Sequence, residues 1–382
     1  MVRVVIDESG EIPGPDLAII VRRDELLNNK FRYTYILKSS KSSGADLFYR
    51  PLHSQELGPS YQELLNKKFD GFNKDMRSKK GRQKLNYRLR KYGQDLYRSL
   101  FDHEFDDVYW HQIKGKVKTI QVVSKEPIPW ELIFPVRLNT SQEVPDQAFF
   151  CEQYDIAHWF PESPPEHSLA VGRFDMVKAI SGEFAQKEQT AIQTLLRDYE
   201  HVNFSTIHPS FDDVLNAFSC GCRSILHLIC HGVSEAEDAD TSILKLEDDS
   251  VTPDDLRDAL DENESFLVFL NGCETGIIGP GVAGLGGWAY QLATRGNASA
   301  MLGTIMKVPG NSACEFAISF YQHLYPKKIS SSTVGSASEI SMRSVLKAAR
   351  IARKELQDDP TRLSYKVYGN PMLLLNHDRI AS

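Results

Sequence analysis

Two side chains suited to nucleophilic chemistry stand in matching surroundings. His231 closes Leu226-His-Leu-Ile-Cys-His231-Gly232, and Cys273 closes Leu270-Asn-Gly-Cys273-Glu-Thr-Gly276. Each follows an apolar run and precedes small, flexible residues, the pattern of a strand end. A thiol at its ordinary pKa is largely protonated near neutral pH, so a nearby imidazole is needed to take the proton. An attacked carbonyl gains negative charge, which backbone N–H groups stabilise. Gly232 leaves its N–H open to a substrate, and the N–H of Cys273 is the natural second donor. The expected chemistry is acyl transfer through Cys273, with His231 as base. Taken alone the pair is ambiguous, because a cysteine at a strand end is equally a small core residue. His227 lies four residues before His231. Strand alternation puts the two on one face about 13 Å apart, which makes His227 a core histidine.

The elements that must position this pair lie in residues 166–382. Ser168–Gly172, Ser224–Cys230, Phe266–Leu270, Ser299–Ile305 and Met372–Leu375 read as apolar strands, with a helix over 187–199. Runs that are apolar on both sides suit a parallel sheet covered on both faces. Ser210 with Asp213, and Thr252-Pro253-Asp254-Asp255, are helix starts. Strands alternating with helices predict an α/β layered domain, in which functional groups collect at the carboxyl ends of strands.

Two regions precede it. Residues 1–58 read as a small β-rich N-terminal module, with strands in Leu17–Val21 and Phe31–Ile36. Residues 59–165 read as an accessory α+β region. There Leu85, Leu89, Tyr92, Leu96 and Leu100 form one helical stripe, opposite a basic face that includes Lys79, Lys80, Lys84 and Lys91. That face is either solvated or a docking surface for an acidic partner or for nucleic acid. Val117–Val123 reads as a strand closed by Pro127-Ile-Pro-Trp-Glu131, and residues 136–166 as a connection.

The 382 residues carry 25% charged side chains and a net charge of −7, which gives no support for nucleic-acid binding. The six cysteines form no disulfide framework, so free thiols in a reducing compartment are expected. Asp7 interrupts any signal core, and no apolar run reaches the roughly 18 residues of a membrane span. A cytoplasmic protein is expected. Gly279-Pro-Gly281-Val-Ala-Gly284 matches a dinucleotide-binding pattern, but Pro280 lacks an N–H and the next strand ends without an acid for a ribose. A loop beside the nucleophile is the preferred reading, and no cofactor is expected. Cys220, Cys222, His227, Cys230 and His231 suggest zinc, yet alternation sends Cys230 away from His231, so no metal is expected.

Taken in order, Pro127-Ile-Pro-Trp-Glu, Leu226-His-Leu-Ile-Cys-His-Gly, Leu270-Asn-Gly-Cys-Glu-Thr-Gly, Leu302-Gly-Thr-Ile, Phe320-Tyr-Gln-His-Leu and Tyr368-Gly-Asn-Pro resemble the CHAT domain, a caspase-like cysteine peptidase domain. The resemblance covers about residues 60 to 376. It implies a caspase-like three-layer sandwich around a mainly parallel sheet, with His231 and Cys273 as dyad. The two lie about 42 residues apart, near the caspase spacing of about 50. Asn271-Gly-Cys-Glu-Thr replaces the caspase signature, so specificity for Asp does not carry over. The family also implies a partner-triggered protease acting on one or few protein substrates. Defence roles, including release of a gasdermin-like pore former, occur in it. A caspase-like fold without peptidase activity, serving as a scaffold, is the rival reading.

In caspase-like sheets the specificity pocket flanks the dyad. Its walls are expected from Arg173-Phe-Asp175, read as a loop, and from Thr304–Val308. Asp175 would select a basic residue. Ile305, Met306 and Val308 would make an apolar pocket, which is the preferred expectation.

Overall fold

The computed structural model describes residues 14–39, 51–139, 147–162, 168–199, 202–219, 224–234, 238–256, 265–281, 284–295, 298–325, 345–371 and 373–376. Eleven strands form one sheet. In chain order they are β1 (Leu17–Glu25), β2 (Phe31–Ser39), β3 (Leu52–His53), β4 (Thr119–Val123), β5 (Asp155–Trp159), β6 (Arg173–Lys178), β7 (Asn203–Ile207), β8 (Ser224–Ile229), β9 (Phe266–Asn271), β10 (Ala298–Thr304) and β11 (Tyr365–Gly369). Their spatial order is β3-β2-β1-β4-β5-β11-β10-β9-β8-β6-β7. Neighbours are parallel except at β2–β3, β1–β2 and β10–β11.

The half from β10 to β7 is covered on both faces, as its apolar runs require. Ile225, Ile229, Leu267 and Phe269 pack on one side with helices Glu183–Leu196, Gly310–Leu324 and Val345–Glu355. Leu226, Leu228, Val268 and Leu270 pack on the other with helices Phe211–Ser219 and Trp288–Thr294. This is a three-layer α/β sandwich.

The β-rich N-terminal residues do not build a sheet of their own. β1 pairs with β2 on one side and with β4 on the other, so they extend the main sheet. Asp16 locks this join, because its carboxylate accepts the N–H groups of Lys118 and Thr119. Two helices cover this half: α1 (Tyr61–Met76) and α2 (Lys79–Leu100), the latter N-capped by Ser78. The expected stripe on α2 is buried, with Leu85, Leu89 and Leu100 fully enclosed.

Five strands of the sheet went unread in sequence (β3, β5, β6, β7 and β11), and two apolar runs sit elsewhere. β5 lies inside the region expected to be a connection, because its polar ends and His158 break the apolar run. His158 is buried and its Nε2 lies 2.7 Å from Glu131 Oε1. Burial alone would raise Glu131, but its contacts with His158 and the Lys366 ammonium outweigh that and hold it at about 2. β6 and β11 are likewise bounded by charged or polar residues. The runs Ser168–Ala170 and Leu374–Asn376 pair with each other in a separate two-stranded sheet. The capping hydrogen bonds expected at Thr252 are present, with Asp255 N–H donating to Thr252 Oγ1 and Thr252 N–H to the Asp255 carboxylate. The helix it would open, and Cys220 and Cys222, lie outside the described residues.

Candidate active site

β8 and β9 are adjacent and parallel, so their carboxyl ends lie side by side. Past β8, Cys230 turns into the core, where burial pushes its thiol up to about 12. His231 then emerges exposed, at the start of a short strand His231–Val233 that pairs with Ile243–Lys245. Past β9 comes Cys273, half-buried. Gly232 joins the two positions. A Cβ there would fall 2.1 Å from the Cys273 carbonyl oxygen, so only glycine permits this approach. Among the described residues the His231 ring has no hydrogen-bond partner.

The turn that carries Cys273 is braced from β10. Glu274 has φ of 61°, a left-handed conformation that costs a non-glycine residue about 1 kcal/mol or more. Thr304 compensates: its Oγ1 accepts the Glu274 N–H at 2.8 Å and donates to the Gly272 carbonyl at 2.7 Å. Thr275 Oγ1 donates to the Leu270 carbonyl and accepts the Thr304 N–H.

The Cys273 thiol lies against the segment after β10. Val308 N–H donates to Sγ at 3.4 Å, and Sγ lies 3.8 Å from the Val308 carbonyl oxygen. Burial raises the thiol pKa, Glu274 adds to the rise, and the Val308 N–H and Lys307 oppose it. The resting group is therefore a thiol, and chemistry at it requires a base.

Beneath the turn is a buried polar cluster. Glu188 Oε1 lies 2.8 Å from His227 Nε2 and accepts from Asn271 Nδ2 at 2.8 Å. Tyr365 donates to Asn271 Oδ1, and Tyr321 Oη lies 3.1 Å from His227 Nδ1. His227 is thus a satisfied core residue that helps fix the end of β9. Glu188 had a signal in sequence, since it interrupts the apolar stripe Ala185, Ile192, Leu196 at helical spacing. Thr304 and Tyr365 had none.

The four expected specificity residues separate. Asp175 is in β6 rather than in a loop, and is buried. Its carboxylate accepts from Arg173 Nε and from Ser205 Oγ of β7, so its hydrogen-bonding capacity is already engaged. Met306 is fully enclosed in the core beside Trp130 and Leu363. Val308 touches the Cys273 thiol. Ile305 lines a cavity of about 210 Å³ beside the turn that carries Cys273, which Phe69 and Asn73 of α1, Glu274 and Lys366 also line.

The glycine-rich stretch is a β-hairpin, Gly279–Gly281 against Gly284–Gly286. A carboxylate occupies the space a phosphate would need. Asp240 is buried against Gly281 and Gly286, and accepts the N–H of Gly287 and the side-chain amide of Gln291. A second anion there would be repelled.

Residues 138–358 match the CHAT domain, more than half of the chain. The protein belongs to the CHAT-domain family. A search of curated proteins returns no match. Among solved structures it is similar to separase in the Saccharomyces cerevisiae separase–securin complex, with a TM-score of 0.54 and 10% identity over 94% of this chain. The chain spans only 30% of that separase chain. It is also similar to the Arg-specific cysteine proteinase gingipain R, with a TM-score of 0.50 and 13% identity, covering 78% of this chain and 76% of that one. At these identities the likeness is one of fold, the caspase-like protease fold. No helix among the described residues is long and apolar enough to cross a membrane.

Proposed function

We propose that the protein is a cysteine endopeptidase with His231 as base and Cys273 as nucleophile. The observation that carries this reading is the packing of Gly232 on the Cys273 carbonyl, which holds an exposed imidazole and a half-buried thiol at neighbouring strand ends. His231 takes the Sγ proton as Sγ attacks the scissile carbonyl carbon. The N–H groups of Gly232 and Cys273 stabilise the oxyanion. The C–N bond breaks, and the leaving amine receives the proton from the imidazolium. Water, deprotonated by His231, then hydrolyses the thioester.

The substrate is one or few proteins, and a partner or trigger regulates the cut. The separase structure is a complex with securin, which supports regulation by a protein partner. A bacterial defence role, such as release of a gasdermin-like protein, fits the family, as does a cytoplasmic site of action. An apolar residue before the cut is favoured by Val308 and Ile305, whereas Asp175 is already engaged by Arg173 and Ser205.

The test is mass-spectrometric mapping of cleavage sites in a proteome treated with the wild type and with Cys273→Ala. Cys273-dependent sites with an apolar residue before the cut support the reading. Identical digests, with Cys273 inert to iodoacetamide, would replace it with the scaffold reading.

A further inference from the structure

Helix α1 reaches the nucleophile from the other half of the sheet. Asn73, in its last turn, is buried, and its amide is used on both sides. Nδ2 donates to Glu274 Oε1 at 2.7 Å, and Oδ1 accepts the Lys307 backbone N–H at 2.8 Å. These partners are 201 and 234 residues away in sequence. Each adjoins the thiol: Glu274 follows Cys273, and Lys307 precedes Val308, whose N–H donates to Sγ. Glu274 also faces the Lys307 ammonium, with Oε2 and Nζ 3.8 Å apart.

We infer that Asn73 is a positioning residue for the nucleophile. It clamps the turn that carries Cys273 to the segment that carries the Val308 N–H. The amide suits this task because it offers a donor and an acceptor at once, and the partly buried Glu274 carboxylate and Lys307 N–H each need a partner. Asn73 lies outside residues 138–358, so the clamp is built by chain beyond the matched family unit. A partner that shifts the end of α1 thereby gains a lever on the thiol. The assignment rests on Cys273 being the nucleophile, but its test does not require a cut substrate.

The experiment measures iodoacetamide alkylation of the Cys273 peptide against pH by mass spectrometry, together with kcat, KM and Tm. With Asn73→Leu, kcat falls on the order of 10- to 100-fold, as expected for one lost bond to a charged group, while KM changes by less than about threefold. The alkylation midpoint moves to higher pH, because the Val308 donor is no longer held to Sγ. Asn73→Asp sets two carboxylates face to face and gives a similar loss. Combining Asn73→Asp with Glu274→Gln reverses donor and acceptor, and returns both readouts to within about threefold of the wild type. Lys67→Ala, on the exposed side of the same helix, changes neither. Folded Asn73→Leu protein with an unshifted midpoint and kcat within about twofold of the wild type overturns the assignment. If Asn73→Leu does not fold, failure of the reversed pair to recover from Asn73→Asp overturns it. If the wild type cuts no protein, the peptidase reading falls and the alkylation midpoint still decides the role of Asn73.

Discussion

The parallel strands of the two halves of the eleven-stranded sheet run in opposite directions. β10, β9, β8, β6 and β7 share one direction; β1, β4, β5 and β11 share the other, and the antiparallel β10–β11 join divides them. Carboxyl ends of parallel strands are where an open α/β sheet gathers its chemistry. Only the half from β10 to β7 presents such ends to the His231–Cys273 edge. The parallel strands of the N-terminal half send their carboxyl ends to the opposite edge, and that half reaches the site with a helix, through Asn73. In the proposed mechanism one half supplies the reacting groups and the other holds them.

The sharpest way to break that division is to remove the reacting groups. Cys273→Ala and His231→Ala are each expected to lower kcat/KM by at least about 10³-fold, and the double variant to be no worse than either, because the two act as a unit. Tm should hold, since both lie at strand ends. Additive losses in the double variant would show that the residues act separately.

A smaller effect is expected where the two strand ends meet. Gly232→Ala puts a methyl 2.1 Å from the Cys273 carbonyl oxygen. Such overpacking costs about 1–3 kcal/mol, so kcat/KM should fall roughly 10- to 100-fold as the turn shifts. Unchanged kinetics would mean that the contact does not set the dyad.

The supporting half should instead show itself in acid stability. Burial lowers His158 to about 4, although Glu131 opposes the shift. An unfolded histidine titrates near 6.5, so between those values the unfolded chain binds more protons. Stability is then lost as pH falls from about 6.5 to about 4, by about 3 kcal/mol at most. His158→Gln keeps a donor for Glu131 and removes that titration, so the fall of Tm with acid should flatten. An unchanged slope would place the titration elsewhere.

The smallest effect is expected on the basic face of α2. Lys79, Lys80, Lys84 and Lys91 are exposed. Changing each to Gln should move stability by less than about 0.5 kcal/mol. A loss of cellular partners in pull-downs, with Tm unchanged, would make this face a docking surface instead.

Much of the catalytic half was legible because its signals are local. The runs ending at Cys230, Leu270 and Ile305 carry their own burial pattern, and His231 and Cys273 stand where those runs stop. Alternation within one strand was enough to assign His227 to the core. The misreadings have one cause. Asp175 was read as a loop acid because Leu169–Val171 is more apolar than Arg173–Lys178, yet the latter run is the one that pairs with β8. β5 was missed because His158 interrupts its run, and its partner Glu131 stands 27 residues earlier.

The sequence by itself determined the α/β class, the two strand-end residues, the α2 stripe and the CHAT resemblance, since each is written in neighbouring residues or in one ordered series of motifs. Tertiary structure alone decided that β1 joins β4 and not a separate module, that Met306 is enclosed while Val308 meets the thiol, and that Asn73 spans Glu274 and Lys307. Those outcomes are pairings between segments up to 234 residues apart. A buried polar group must find a partner somewhere, but its own surroundings in the chain do not say where.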